Sequence, residues 1–497
     1  MNFITDIIPM VIIALIGAFK IRLFLTNLGQ ETLGAYQLFA QIFMYLTLVE
    51  AGFGTAIMYK LYKPAKEQDL IKINQLLSGC RVIFNIVALV IFGIGLVLSF
   101  GLDLFIKDRT LDYGYIQIAF LLNLMANAVN YFFITFSIIY NINQKKYKTN
   151  LVTQALVITR SVIEIVLLTV GGDLIAITTL GLGFNLLIQV IIRWMAKREF
   201  PGLDVNVKDK DFSIRQDVKH ILPLKITSLI GNNIDIIVIS SFLGLGHVAV
   251  YTAYNYIVNT FRNIMNKFSD AALSSIGNLT VSDDKDDYAF FREYNSFIFF
   301  VSGILCVPLF LVLNPFIRLW VGETMMVSEL TVFLFVAILF TAIIRAPAGS
   351  YITVYGLFKE TKPAAYIEML INLMLTLVLV HFFGITGVLA ATVVAYLVSD
   401  PFRISPLYRV KFKCSPLLYY LEYLKYVALI TVNGIAIFVL LRWIEPANSN
   451  LFSWLAVGSA MFVENLLVTY LLFKVFVKEF SFQQRLATLL RHVRKGG

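Results

Sequence analysis

Charge is what this sequence has least of. Only 14% of its 497 residues are Asp, Glu, Lys or Arg, against 59% hydrophobic, and the mean hydropathy is +0.79. Soluble domains carry about a quarter charged residues, so this balance excludes an ordinary soluble protein. Cysteine and histidine are scarce as well. Cys80, Cys306 and Cys414 stand at unrelated spacings, and His220, His247, His381 and His492 are scattered, so neither a disulfide framework nor a metal site is expected. No P-loop occurs, and the glycine pairs Gly93/Gly95 and Gly181/Gly183 lack a strand–turn–helix setting; they read as close helix contacts or points of flexibility, and ATP hydrolysis is not expected. The opening Met-Asn-Phe-Ile-Thr-Asp has no basic region and no cleavage site follows, so it reads as the start of a retained span.

What the chain has instead is a succession of apolar runs, each long enough to cross the hydrocarbon as a helix. Fourteen are expected, at about 4–27, 34–59, 78–100, 114–139, 151–171, 174–195, 219–243, 248–273, 293–314, 328–351, 364–384, 386–404, 420–442 and 452–474. The formal net charge of +10 sits between them on alternate sides. Lys60, Lys63, Lys66 and Lys72 mark one basic connection; Lys145, Lys146 and Lys148 the next; Lys197, Arg198, Lys208, Lys210 and Arg215 a third. Connections such as 28–33, 172–173 and 244–247 are short and poor in Lys and Arg. This asymmetry places both termini and the basic loops in the cytoplasm, with the acidic 283–287 run as the exception. Topology accounts for the basic balance, and no nucleic-acid partner is expected.

The longest connection divides the chain into expected domains. These are a six-helix lobe over 1–196, a cytoplasmic linker over 197–218, a second six-helix lobe over 219–404, helices 13 and 14 over 405–475, and a basic amphipathic tail over 476–497. An internal repeat agrees with the division. Pro9 and Gly17 match Pro223 and Gly231, 214 residues apart; Gly29 and Tyr36 match Gly244 and Tyr251, 215 apart. An offset of six spans preserves direction, so the repeats are parallel. Ser213-x-x-Gln216 has the form of a capping box ahead of span 7. In the tail, Phe482, Leu486, Leu489, Leu490 and Val493 share a face opposite Arg485, Arg491, Arg494 and Lys495; a helix on the inner leaflet and a solvated tail are the two readings.

Polar residues inside the spans recur at helical spacing. Lys225, Ser228, Asn232 and Asp235 share one face; Asn255, Asn259, Arg262, Asn266 and Asp270 share another; Asn123, Asn127 and Asn130 make a third. A charge facing lipid costs about 3 kcal/mol even on the lenient insertion scale, so such faces point into protein or water. A polar cavity at bilayer depth satisfies them.

Several motifs carry a resemblance. They are Leu28-Gly29 with Gly34-x-Tyr36; Glu50-Ala51-Gly52-Phe53-Gly54-Thr55-Ala56; Asn232 to Asp235 followed by Gly244 and Tyr251; and Tyr355-Gly356-Leu357-Phe358-Lys359 leading to Asn372-Leu373, Gly384-Ile385-Thr386-Gly387 and Ala390-Ala391-Thr392. In their order and placement the chain resembles the polysaccharide-transporter flippases of the multidrug/oligosaccharidyl-lipid/polysaccharide exporter superfamily. The resemblance implies an all-α bacterial inner-membrane protein with two lobes around a cationic cavity that alternates in access. It also implies an undecaprenyl-diphosphate-linked oligosaccharide as substrate, membrane lipids and other polysaccharide-assembly proteins as partners, and no enzymatic activity. In the related lipid II flippases, cations of span 1 handle the diphosphate. Lys20 and Arg22 occupy that helix here, and which one matches stays open.

The substrate class sets physical demands. A diphosphate needs fixed positive charge, for which Lys20, Arg22, Lys225, Arg262 and Arg345 are the candidates inside spans. Each has a competing structural use as the partner of Glu50, Asp235 or Asp270. Sugars need amides, supplied by Asn123, Asn127, Asn130, Asn232, Asn255, Asn259 and Asn266, although amides also hold packed helices together. Glu50, Asp235 and Asp270 are candidates for gating or ion coupling, and no cofactor is expected beyond a coupling H+ or Na+. The repeat sets Lys20/Arg22 and Asp235 at similar depth, which suggests an ion pair between the lobes. A multidrug antiporter of the same superfamily and a polyprenyl-dependent glycosyltransferase or polymerase are the rival functions. The short external loops, with no clustered catalytic residues, argue against the second.

Overall fold

In the computed structural model the described residues are 2–47, 53–107, 110–213, 234–279, 287–441, 451–478 and 480. All the regular structure among them is helical. In chain order the helices are α1 (Asn2–Leu28), α2 (Gln30–Leu46), α3 (Phe53–Lys66), α4 (Leu70–Ser99), α5 (Tyr113–Ile142), α6 (Lys146–Thr169), α7 (Leu174–Glu199), α8 (Asp235–Leu243) and α9 (Leu245–Leu279). They continue as α10 (Asp287–Val321), α11 (Glu329–Ile344), α12 (Ala346–Tyr355), α13 (Phe358–Pro406, followed by a π turn over Leu407–Phe412), α14 (Leu417–Leu441) and α15 (Leu451–Phe476).

Ten helical segments of the described chain are long and apolar enough to cross a membrane. Their outward residues are apolar: Val97, Val170, Phe382, Leu467 and Val475 are all exposed, as lipid-facing positions must be. The protein is a multi-pass, all-α membrane protein. The difference from fourteen has identifiable sources. The 34–59 segment is described as α2 and α3, with 48–52 outside the described residues. Only the end of 219–243 is described, and α9 is too polar along its asparagine stripe to qualify on composition.

The remaining difference lies in α13, which serves as two spans. At Gly384 the backbone turns to φ 57°, ψ −135°, a conformation open only to glycine. Asn372 Nδ2 donates to Thr392 Oγ1 at 3.1 Å, although 20 residues separate them, about 30 Å along a straight helix. The element is therefore a helical hairpin, reversed where the sequence separates 364–384 from 386–404.

The described chain forms two compact units, Leu15–Ala249 and Met1–Ala14 with Val250–Gly497. In the first, Asp112 and Asp173 cap α5 and α7 by accepting the amides of Tyr115 and Ala176 at 2.9 and 2.8 Å. Phe39 and Phe43 of α2 close on Phe120 of α5 with ring centroids 5.3 and 5.1 Å apart. After α7 the chain returns as a strap along the start of α4. Asn74 Nδ2 donates to the Gly202 carbonyl at 2.9 Å, Gln75 Nε2 to Asp209 at 2.6 Å and Arg81 to Asn206 at 2.6 Å. Asp211 pairs with Lys72 at 2.9 Å. Burial pulls the Asp211 carboxyl up, but Lys72 and the Ser213 amide outweigh it and hold the group down at about 2. Gln216 of the expected capping box lies outside the described residues, as does nearly all of the tail.

In the second unit, Phe291 of α10, Tyr351 of α12, Tyr408 and Phe412 of the π turn and Tyr419 of α14 form an aromatic core. Asn433 of α14 donates to Asn465 and Thr469 of α15 at 2.7 and 3.0 Å, and Asn465 donates to the Gly303 and Ile304 carbonyls of α10 at 3.2 and 3.0 Å. These buried amides fasten the last two helices to α10, each worth about 0.6–2 kcal/mol. The matched glycines of the repeat share one backbone conformation, φ 83°, ψ 169° at Gly29 and φ 101°, ψ 171° at Gly244.

Candidate functional site

Helical geometry separates the two span-1 cations. Positions two apart on a helix point about 200° away from each other, so Lys20 and Arg22 cannot serve one site. Arg22 is exposed. Lys20 shares the face of the buried Phe24 and turns toward α6, where its ammonium meets Glu164 at 2.5 Å. Arg160, one turn before Glu164, takes the other carboxylate oxygen through Nε at 2.7 Å. The Tyr36 ring of α2 lies 5.2 Å from the Lys20 ammonium, and its hydroxyl lies beside Arg160. On the far side α7 approaches through Gly181, where a Cβ would stand 2.7 Å from Arg160 Nη2. Asn27, donating to the Leu168 carbonyl at 2.8 Å, fixes the α1–α6 seam.

Two cations thus share one carboxylate inside an apolar span, with a surplus of one positive charge. Glu164 is only 1% exposed, whereas Lys20 and Arg160 are 18% and 23% exposed. A carboxylate so buried is tolerable because both its oxygens are paired. The expected Lys20–Asp235 pair does not form: Lys20 is held by Glu164. Asp235 stands half-buried at the start of α8 with Tyr45 nearby. Equal depth in a repeat fixes neither the face nor the neighbour, and α6 supplied a nearer anion.

A second cluster lies in the other unit. Arg345, at the junction of α11 and α12, meets Glu368 at 2.6 Å and Asp400 at 2.9 Å, both from the α13 hairpin. Arg403 also reaches Glu368, at 3.0 Å; Ser399 bridges Arg345 and Glu368; and the Tyr396 ring lies 4.5 Å from the guanidinium. Two arginines balance two carboxylates. Arg345, expected in a substrate cavity, is 8% exposed and committed to closing the hairpin against α11.

The other expected residues fall variously. Arg262 is half-buried, and its buried Nε has no hydrogen-bond partner among the described residues. Asn255 and Asn259 are half-buried on the same stripe, and Asn266 is exposed. Asn127 Nδ2 bonds back to the Asn123 carbonyl at 2.8 Å, while Asn130 accepts from Gln189 of α7 at 3.0 Å. That row therefore serves in part to pack α5 on α7. Glu50, Lys225 and Asn232 lie outside the described residues, and the Asp270 side chain is likewise not described. No group of three His, Cys, Asp or Glu among the described residues has the form of a metal site.

Sequence reasoning missed Arg160, Glu164, Glu368 and Asp400; it took Arg403 for a span-end arginine reaching to the interface, where the structure pairs it with Glu368; and it missed Glu464, halfway along α15, whose Oε2 is buried without a partner among the described residues. Arg160 and Glu164 were legible: opposite charges four apart within a span mark a paired face.

The same arrangement of helices is known in solved transporters. The lipid II flippase MurJ in an inward closed conformation superposes with a TM-score of 0.72, covering 96% of this chain and 99% of its own at 18% identity. The likeness is one of fold, and solved transporters of the MOP superfamily share it. An inward-facing multidrug resistance MATE transporter of that superfamily gives 0.61, over 78% of this chain and 92% of its own at 15% identity. A MATE protein in complex with MaD3S gives 0.51 at 14% identity, over 80% and 93%. These neighbours are transporters, not enzymes. No protein-family model and no curated relative matches the sequence.

Proposed function

We propose that the protein is a flippase that carries an undecaprenyl-diphosphate-linked oligosaccharide across the bacterial cytoplasmic membrane for cell-surface polysaccharide synthesis. The Lys20–Glu164–Arg160 cluster carries this reading. A positive surplus held within an apolar span suits a lipid-borne diphosphate, and costs stability in a protein with no anion to bind. The superposition on a flippase of a lipid-linked substrate supports the same class. Half-buried Arg262 with Asn255 and Asn259 supplies a further cationic, amide-rich face, and the exposed apolar helix surfaces leave the polyprenyl tail in contact with lipid. Two lobes alternating in access, with both termini cytoplasmic, complete the mechanism, and a proton or sodium gradient is the candidate driving force.

The test is reconstitution in liposomes with a fluorescent polyprenyl-diphosphate sugar, scoring its accessibility on the far leaflet, beside a cationic-drug efflux assay on the same preparation. Flipping without drug efflux is expected. Drug efflux without flipping would replace the reading with the multidrug antiporter, which the MATE superpositions keep as its rival.

A further inference from the structure

We infer that the exposed edge of α15 docks on the α15 of a second copy of this chain, with the two Glu464 carboxyls sharing a proton and hydrogen-bonding across the contact. The inference goes beyond the proposed function and does not rest on it.

Three observations carry it. The first is a carboxyl without a partner. Glu464 lies halfway along α15 (Leu451–Phe476), within an apolar span. It is half-buried, and its Oε2 is buried without a partner among the described residues. Glu164, Glu368 and Asp400, also within spans, each meet a cation of their own chain. Hydrocarbon offers neither water nor counter-charge, so a carboxyl at the middle of a span needs a proton and a hydrogen-bond partner.

The second observation is the division of α15 into faces. Asn465, Thr469 and Phe473 form the buried stripe that fastens the helix to α10 and α14. Away from that stripe Ala456, Ala460, Val463, Leu467 and Leu471 are exposed, and Glu464 stands at their border, one turn beyond Ala460. Ala456 and Ala460 are four apart, the spacing of small residues that lets two helices approach closely in a membrane. The carboxyl follows at the next turn of the same face.

The third is self-complementarity, which selects the occupant. A two-fold axis along the membrane normal sets each residue of α15 opposite itself at the same depth, so Glu464 meets its own copy with no further matching. A protonated carboxyl donates and an ionised one accepts, so the pair satisfies itself. A foreign helix would have to bring a donor to that same depth.

Full-length protein carrying one fluorophore is reconstituted in liposomes, and the dimer fraction is read by single-molecule photobleaching as the protein-to-lipid ratio falls. A reversible dimer is expected. Glu464→Leu should weaken dimerisation about three- to thirtyfold, the range for one hydrogen bond between helices in a membrane. Glu464→Gln, whose amide both donates and accepts, should keep the dimer. The face is read separately, with Glu464 intact, by copper-phenanthroline cross-linking in a Cys414→Ser background, where the remaining Cys80 and Cys306 are buried. Ala460→Cys and Leu467→Cys should join two copies; Phe462→Cys and Leu466→Cys, exposed on another side of the helix, should not. A wild type that stays monomeric across the range overturns the inference. So does a Glu464→Leu protein that dimerises as the wild type does, or cross-linking through positions 462 and 466. Cysteines at 460 and 467 that join a different protein in cell membranes, and never a second copy, replace it with a foreign helix.

Discussion

Arg345→Met separates a structural arginine from a substrate-binding one. The change removes a guanidinium that two carboxylates share at 2.6 and 2.9 Å and that stands 4.5 Å from the Tyr396 ring. Glu368 keeps Arg403 at 3.0 Å and Ser399 at 2.9 Å, so it stays compensated. Asp400, 9% exposed, loses its ion-pair partner among the described residues. Leaving one buried charge unpaired costs about 3–5 kcal/mol, a factor of a hundred or more in the folded population. Thermal unfolding in detergent, followed by tryptophan fluorescence, should show a lower and broader transition, and expression should fall. Adding Asp400→Leu removes the stranded carboxylate and should restore most of the loss, a coupling that a double-mutant cycle measures. Flipping per folded molecule should stay within about threefold of wild type. A fully stable Arg345→Met that no longer binds or flips a diphosphate lipid would refute the reasoning and return Arg345 to the substrate path.

Three further outcomes follow from the same structure. Gly384→Ala places a Cβ on a backbone conformation of φ 57°, ψ −135°, so it should cost about 1–3 kcal/mol and lower the yield of folded protein; a substitution at Gly183, an ordinary helical position, should be tolerated. Asn465→Leu breaks the amide links from α15 to α10 and α14 and should destabilise the protein by about 1–3 kcal/mol, read as earlier thermal unfolding, with α15 the first helix to lose hydrogen-exchange protection. The strap over 200–213 depends on acid through Asp211, whose folded value of about 2 lies below the ordinary 3.8. A depressed carboxyl stabilises above its unfolded value and loses that contribution as pH falls through the folded one, so pepsin should cut the strap increasingly between about pH 4 and 2. In Asp211→Asn the cutting should be high and nearly independent of pH across that window.

Much of this protein was written in its periodicities. Apolar runs of membrane length announced the helices, because a chain in hydrocarbon must satisfy its backbone within each segment. The reversal at Gly384 could be placed because a glycine interrupts two adjacent runs there. The matched pair Gly29 and Gly244 adopts one conformation, as a repeat predicts. Spacing also placed Arg262 and the asparagines of α5 on polar faces.

Spacing could not say what those faces meet. Periodicity assigns a residue to a side of its own helix, but its partner depends on which helix packs there and in what register. Lys20 was set against Asp235 by repeat depth and found Glu164, 144 residues away, because α6 lies against α1. Arg345 was expected as a cavity cation and is the bridge of a hairpin, since only the folded α13 brings Glu368 and Asp400 to the same guanidinium. The sequence by itself determined a helical membrane protein with charge buried at chosen depths. The tertiary structure decided which charges cancel and which are left over, because electrostatic pairing falls off within a few ångströms and only packing sets distances that short.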